Sequence, residues 1–294
     1  MLELTQETPD SEEEALRERY FGHEHVTRIE PPRGWRSLDL REIWAYRELL
    51  FVLTMRDIKV RYKQTVLGAA WAILQPFMTM VVFTVFFGRL ANMPSDGFPY
   101  PVFVYSALVP WTFFANAITS SSNSLVGSAH LISKVYFPRL IIPLAAVGVG
   151  VIDFVVASSI LLAMMIWYGV GWSLHLLMAP VLLLAIMFTA LGAGTCLSAL
   201  TVFYRDFRYV VPFMVQLWMF VTPVVYPASL IPAQWRWLFH LNPMSGLIEG
   251  FRAVFLGRAF DFGGLAVSAG VAIVLFFVGV MIFERIERRF ADII

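Results

Sequence analysis

Between Val66 and Gly88 the chain carries no charged residue, and Arg56, Lys59, Arg61 and Lys63 stand directly before that run. About 20 such residues cross the hydrocarbon core of a bilayer as a helix. Lys and Arg beside a span stay on the cytoplasmic face. The run therefore predicts a first transmembrane helix that leaves the cytoplasm at Arg56, with everything before it cytoplasmic or on the membrane surface.

The remaining composition agrees with a membrane chain. Of 294 residues, 59% are hydrophobic and 15% charged, and the mean hydropathy is +0.70. A soluble domain carries about 25% charged residues. Acids crowd the N-terminus and bases flank the spans, so the net charge of +1 leaves no basic face for nucleic acid. The single cysteine, Cys196, lies in a span and reads as a small apolar residue.

Four regions are expected. Residues 1–36 form an acidic leader that is too poor in apolar residues to order itself and does not resemble a cleavable signal peptide. Residues 37–65 begin with a capping pattern, Asp39 and Glu42, followed by Leu40, Ile43, Trp44, Leu50 and Phe51 near helical spacing. That pattern predicts an amphipathic helix lying in the membrane interface, with a second helix start at Thr54 and Asp57. Residues 66–283 form the membrane domain, and residues 284–294 a cytoplasmic tail.

The expected fold is all-α and polytopic, with six transmembrane helices. After Val66–Gly88 they are placed at Pro101–Ser121, Leu140–Tyr168, Leu176–Phe203, Tyr209–Tyr226 and Gly264–Phe283. Pro227–Gly257 is apolar but interrupted by Pro227, Pro232 and Pro243, which predicts short re-entrant helices before the last span. Lys134, Arg139, Arg205, Arg208 and Arg285 gather on the inner side, leaving both termini cytoplasmic.

Chemistry-bearing motifs are few. No G-x-x-x-x-G-K-[ST] phosphate loop occurs, so nucleotide hydrolysis is not expected of this chain. No His/Cys group has metal-ligand spacing. The intramembrane polar residues that stand out as candidates are Gln75, Asp153 and Gln216. A carboxylate at a span centre costs about 2.5–3.5 kcal/mol on insertion scales. Asp153 is therefore expected to face the protein interior or to be protonated, as a coupling-ion ligand, a hydrogen-bonded structural group or part of a pathway. Glu249 and Arg252 are spaced to pair on one helix face. Ala190, Gly194 and Ser198 form a small-residue face for close helix contact. The aromatic residues, 15% of the chain, serve either as interface anchors and packing or as a sugar-stacking passage.

RDIKVRYKQTVLGAAWAILQP at Arg56–Pro76, LVPWTFFANAI at Leu108–Ile118 and LISKVYFPRLIIPLA at Leu131–Ala145 resemble the permease subunits of bacterial ATP-binding-cassette type-2 exporters. TVFYRDFRYVVP at Thr201–Pro212, TPVVYP, and LNPMSGLIEGFR ending at Arg252 extend the match toward the polysaccharide-exporting branch. The resemblance implies a homodimer of this chain with two copies of a separate ATPase, in the bacterial cytoplasmic (inner) membrane. ATP and Mg would be held on that partner, with no cofactor on this chain. The substrate would be a lipid-linked glycan such as O-antigen, capsule or teichoic acid. It further places the ATPase-coupling contacts in Asn123–Pro138 and Tyr204–Arg208, involving Leu125, Leu131, Ile132, Lys134, Arg139, Arg205, Asp206 and Arg208. The glycan passage would be lined by Trp71, Phe77, Phe83, Trp111, Phe114 and Trp218. The alternatives are an ion-coupled transporter, which needs more intramembrane acids, an exporter of another amphipathic substrate, and a transferase, which needs an acid/base or nucleophile set.

Overall fold

The computed structural model describes residues 40–63, 70–171 and 173–287; the leader, Asp39, and Arg288 and Arg289 of the tail lie outside the described residues. Every regular element among them is helical. In order they are α1 (Leu40–Ala45), α2 (Arg47–Lys63), α3 (Ala70–Phe83), α4 (Tyr100–Gly127), α5 (Ala129–Ile132) and α6 (Ile141–Trp167). They continue with α7 (Ala179–Phe203), α8 (Phe207–Val221), α9 (Arg236–His240), α10 (Pro243–Leu256) and α11 (Phe262–Glu287).

Five helical stretches are long and apolar enough to span a membrane: α3 with its π-helical extension to Leu90, α4, α6, α7 with the 3-10 turn before it, and α11. Where a span was expected at Tyr209–Tyr226 the structure has α8, a shorter apolar helix of 15 residues. At 1.5 Å per residue it covers only about 22 Å of a hydrocarbon core of about 30 Å. Its end has a local cause. Thr222 precedes Pro223, and the residue before a proline is pushed out of the helical region; Thr222 is accordingly extended, at φ −99° and ψ 144°.

The central column is α4. It packs along α6, α7, α10, α3 and α8. Phe103, Tyr105, Phe114 and Ile118 on it are fully buried. Around it, α7 lies against α11 so closely that a Cβ on Gly279 would collide with the backbone of Gly192. The expected small-residue face at Ala190, Gly194 and Ser198 is buried too, and Gly194 gives room to Ser121 of α4. Small residues thus let α7 approach two helices on two sides.

The interfacial segment differs from expectation in one respect. Thr54 does not start a helix: it sits within α2 and donates from its hydroxyl to Leu50 O at 2.8 Å. α2 packs along α6 while Trp44, Phe51, Val52 and Val60 remain exposed, leaving an apolar surface for lipid. The interrupted segment folds into two 3-10 turns, α9 and α10. α10 is buried along its length, so its backbone is covered by protein as an irregular segment near a membrane requires. Asn242 caps it, accepting from Met244 N at 3.1 Å, and Gly257 ends it in the left-handed conformation at φ 67°.

Candidate functional site

Asp153 lies near the midpoint of α6 and is enclosed from the side by the end of α2. Arg61 Nη1 reaches its carboxylate at 2.9 Å, and the Tyr62 hydroxyl donates to its other oxygen. Of the roles open to Asp153, this pairing favours the hydrogen-bonded one, because a neutralised carboxylate offers less to a coupling ion. Burial, followed by the hydrogen bond to Asp153, pushes the Tyr62 phenol up to about 12. It therefore stays a donor throughout the physiological range.

The triad forms one wall of a cavity of about 210 Å³ between α2, α3, α4 and α6. Trp71 and Gln75 of α3, Thr112, Phe113 and Asn116 of α4, and Phe154 of α6 complete it. Three residues singled out from sequence, Trp71, Gln75 and Asp153, thus meet in one place. Arg61 also lines a second cleft of about 470 Å³, which runs past Arg56, Asp57, Ser120, Asn123, Ser124 and Ser128 at the end of α4. Sequence reading did not connect Arg61 with Asp153. The only signal was a basic cluster next to a span, and that pattern was already accounted for by topology.

The aromatic residues divide. Trp71 is 53% exposed, whereas Trp111 and Phe114 are buried inside the chain itself. Phe114 meets Trp218 edge to face at 5.1 Å and Trp111 at 5.4 Å. Trp218 donates from Nε1 to Asn242 Oδ1 at 2.9 Å. Phe77 and Phe83 are half-buried against the same core. Within one copy, then, Trp111 and Phe114 are buried, with their rings packed on each other and on Trp218 of α8. Gln216 is exposed on α8.

The expected coupling residues sit at the opposite end of the bundle from Asp96 and Arg258. Leu125 is fully buried, in one cluster with Phe137, Leu140, Ile141, Val280 and Phe283. Leu131 and Ile132 are half-buried beside that cluster. Lys134 is exposed, while Arg139 is tied to α11, donating to Glu287 O and lying 3.9 Å from its carboxylate. Arg205, Asp206 and Arg208 are exposed at the turn between α7 and α8.

A third polar cluster holds the other end. Arg252 is fully buried, pairs with Glu249 and lies over the Phe103 ring at 3.8 Å. Arg258 pairs with Asp96 at 2.8 Å, and Asp96 also accepts from the Ser229 hydroxyl. The pairing of Glu249 with Arg252 was expected; its extension to Arg258 and Asp96 joins residues far apart in the chain and has no local signal.

A bundle of long apolar helices around a buried central column, with its charged groups paired at the two ends and at one intramembrane cavity, defines a polytopic helical membrane protein. Residues 48–256 match the ABC-2 type transporter family, and the chain belongs to it. It is 31% identical to an O-antigen export system permease protein RfbA of Myxococcus xanthus over 86% of this chain and 98% of that one. Against the RfbA protein of Klebsiella pneumoniae the identity is 29%, over 84% of this chain and 95% of the relative. The polysialic acid transport protein KpsM of Escherichia coli is 24% identical over 80% and 92%.

Proposed function

We propose that this chain is the membrane subunit of an exporter that carries a lipid-linked polysaccharide out of the cytoplasm, driven by a separate ATPase. The observation that carries the reading is the match to an O-antigen export permease along 98% of that relative's length. Two copies of the chain pair with two copies of the ATPase, which holds ATP and Mg; this chain contains no phosphate loop and binds no cofactor. The protein resides in a bacterial inner membrane with both termini in the cytoplasm. The inner end is the one at which Arg139 meets Glu287, where Lys134, Arg205 and Arg208 also lie. Work enters there, through Lys134, Arg139, Arg205, Asp206 and Arg208 together with Leu131 and Ile132. Two copies joined along α3 and α8, both of which expose long apolar faces, would bring Trp71, Phe77, Phe83 and Trp218 toward a shared passage. The pairing of Asp153 with Arg61 weighs against ion-coupled transport.

Deletion of the gene tests this directly. Cells without the chain are expected to lose surface polysaccharide and to accumulate its lipid-linked form on the cytoplasmic side of the inner membrane. Restoring the chain without an intact ATPase should not restore export. Unchanged surface polysaccharide in the deletion would overturn the proposal.

A further inference from the structure

The cavity at Asp153 has two kinds of wall. Trp71, Phe113 and Phe154 supply apolar aromatic surface, and Gln75, Thr112, Asn116 and Asp153 supply hydrogen-bonding groups. Gln75 is exposed and Thr112 and Asn116 are half-buried, and their side chains make no hydrogen bond among the described residues. Polar groups left unpaired in the apolar part of a membrane protein are costly. Two amides and a hydroxyl converging on one space therefore call for an occupant that both donates and accepts. A lipid tail offers neither.

Charge narrows the choice. Arg61 and Asp153 pair at 2.9 Å, and Asp153 is the only acid lining the cavity among the described residues. A phosphate would find its cation already engaged by a carboxylate, and a metal ion would find one carboxylate that is itself paired. A neutral polyhydroxylated ring fits both walls, its C–H face against an aromatic ring and its hydroxyls on the amides.

We propose that this cavity is a binding subsite for one uncharged sugar ring of the exported glycan, built within a single copy of the chain. The inference rests on the polysaccharide-export reading. Trp71 supplies the stacking surface, and Gln75 and Asn116 read the hydroxyls. The cleft past Asn123 and Ser124, which shares Arg61 with the cavity, is the approach from the cytoplasmic end. Arg61 and Tyr62 fix the carboxylate so that it accepts from a sugar hydroxyl without attracting cations.

The test places p-benzoylphenylalanine at Trp71 in otherwise unaltered chain, in cells that make their own surface polysaccharide. After irradiation, the purified chain is oxidised with periodate and labelled with a hydrazide to reveal attached carbohydrate. A carbohydrate adduct is expected from position 71 and not from Val155, which is exposed on α6 outside the cavity. Gln75→Leu and Asn116→Leu should each lower adduct yield and export by about five-fold, the loss expected of one hydrogen bond. The same substitutions should leave thermal stability unchanged or higher in a detergent without a sugar headgroup, because each removes an unpaired polar group. A packing role would instead lower it. Should the Leu variants fail to fold, the cross-link from position 71, in a chain changed nowhere else, still decides. Adducts with phospholipid alone, or full export by the double Leu variant, would overturn the subsite. Cells that keep their surface polysaccharide without the chain would overturn the export reading and the subsite with it. Cells that lose it but give no carbohydrate adduct at position 71 would overturn the subsite alone.

Discussion

Arg252 Nη1 lies 2.6 Å from Glu249 Oε1, one turn apart on α10, and the guanidinium is fully buried. Its other nitrogen donates to Val224 O at 2.8 Å, while the first also reaches Tyr226 O at 3.3 Å. The Tyr100 hydroxyl binds the intervening carbonyl of Val225 at 2.8 Å. One buried charge thus fixes the irregular chain after α8, where Pro223 has removed the helical ladder, and anchors it to the start of α4. Irregular backbone beside a membrane needs such partners for its carbonyls.

Removing one member of this pair should be severe. Glu249→Gln leaves the buried guanidinium uncompensated, at a cost of about 3–5 kcal/mol. Arg252→Met strips the Val224 and Tyr226 carbonyls of their donor and should cost a similar amount. The double variant should be no worse than either single, since the same pair is lost. Thermal unfolding in detergent checks this; additive losses would show that the two residues act separately.

Much of the fold could be read from sequence because membrane spans are local signals. The charge-free run Val66–Gly88 is, from Ala70 on, α3 and its π-helical extension, and the interrupted segment before the last span holds α9 and α10. What escaped was relational. Leu125 is apolar and lies next to a polar stretch, yet it is buried because Phe137, Leu140 and Phe283 close over it. Trp111 and Phe114 have the composition of a passage and the packing of a core. Arg61 belonged to a cluster that the orientation rule explained fully, so nothing in sequence linked it to a residue on α6.

The Arg61–Asp153 pair gives a second prediction. Asp153→Asn and Arg61→Met should each destabilise the chain, and a double-mutant cycle should show a coupling of about 0.5–3 kcal/mol. Arg61 is 41% exposed on its side chain and Asp153 only 13%. Loss of the arginine should therefore cost more, since the arginine can turn to water and the carboxylate cannot. Equal losses with no coupling would mean that the ion pair is incidental.

Tyr62 titration gives a third. Its phenol is held at about 12, above the ordinary 10, so the protonated form is favoured in the folded chain. The stabilisation is present below pH 10 and is lost as pH climbs from 10 to 12. Tyr62→Phe should remove one late-ionising tyrosine from the ultraviolet titration of the folded protein and flatten its stability loss across that window. An early-ionising Tyr62 would contradict the hydrogen bond to Asp153.

The crossing of α7 and α11 is set by Gly192 and Gly279, where a Cβ on Gly279 would collide with the Gly192 carbonyl. Gly279→Leu is expected to abolish the folded chain, as judged by loss of monodisperse protein on extraction. A Cβ added at Gly270 on the same helix meets no atom within 4 Å, so Gly270→Leu should be tolerated. Equal behaviour of the two would mean that close backbone approach is not what places α11.

The last prediction concerns where the ATPase takes hold. Leu131 and Ile132 are half-buried against the cluster around Phe137 and Leu140, so replacing them with Asp would damage the chain and any partner contact together. Val135 and Tyr136, at 51% and 59% exposure, belong to the same segment and lie clear of that cluster. They follow Lys134, which is also exposed, so the segment offers an apolar patch beside a cation, the pattern that docks into a groove on another protein. Because α5 joins the end of α4 to the start of α6, a push on this segment moves the central column and the helix that carries Asp153. Val135→Asp with Tyr136→Asp should leave the yield and thermal stability of the isolated chain unchanged. The ATPase should co-purify at least about tenfold less, as expected for loss of a central interface contact. Export should fall with it. Normal co-purification and export in this double variant would move the coupling contact elsewhere, with the Arg205–Arg208 turn as the next surface to test.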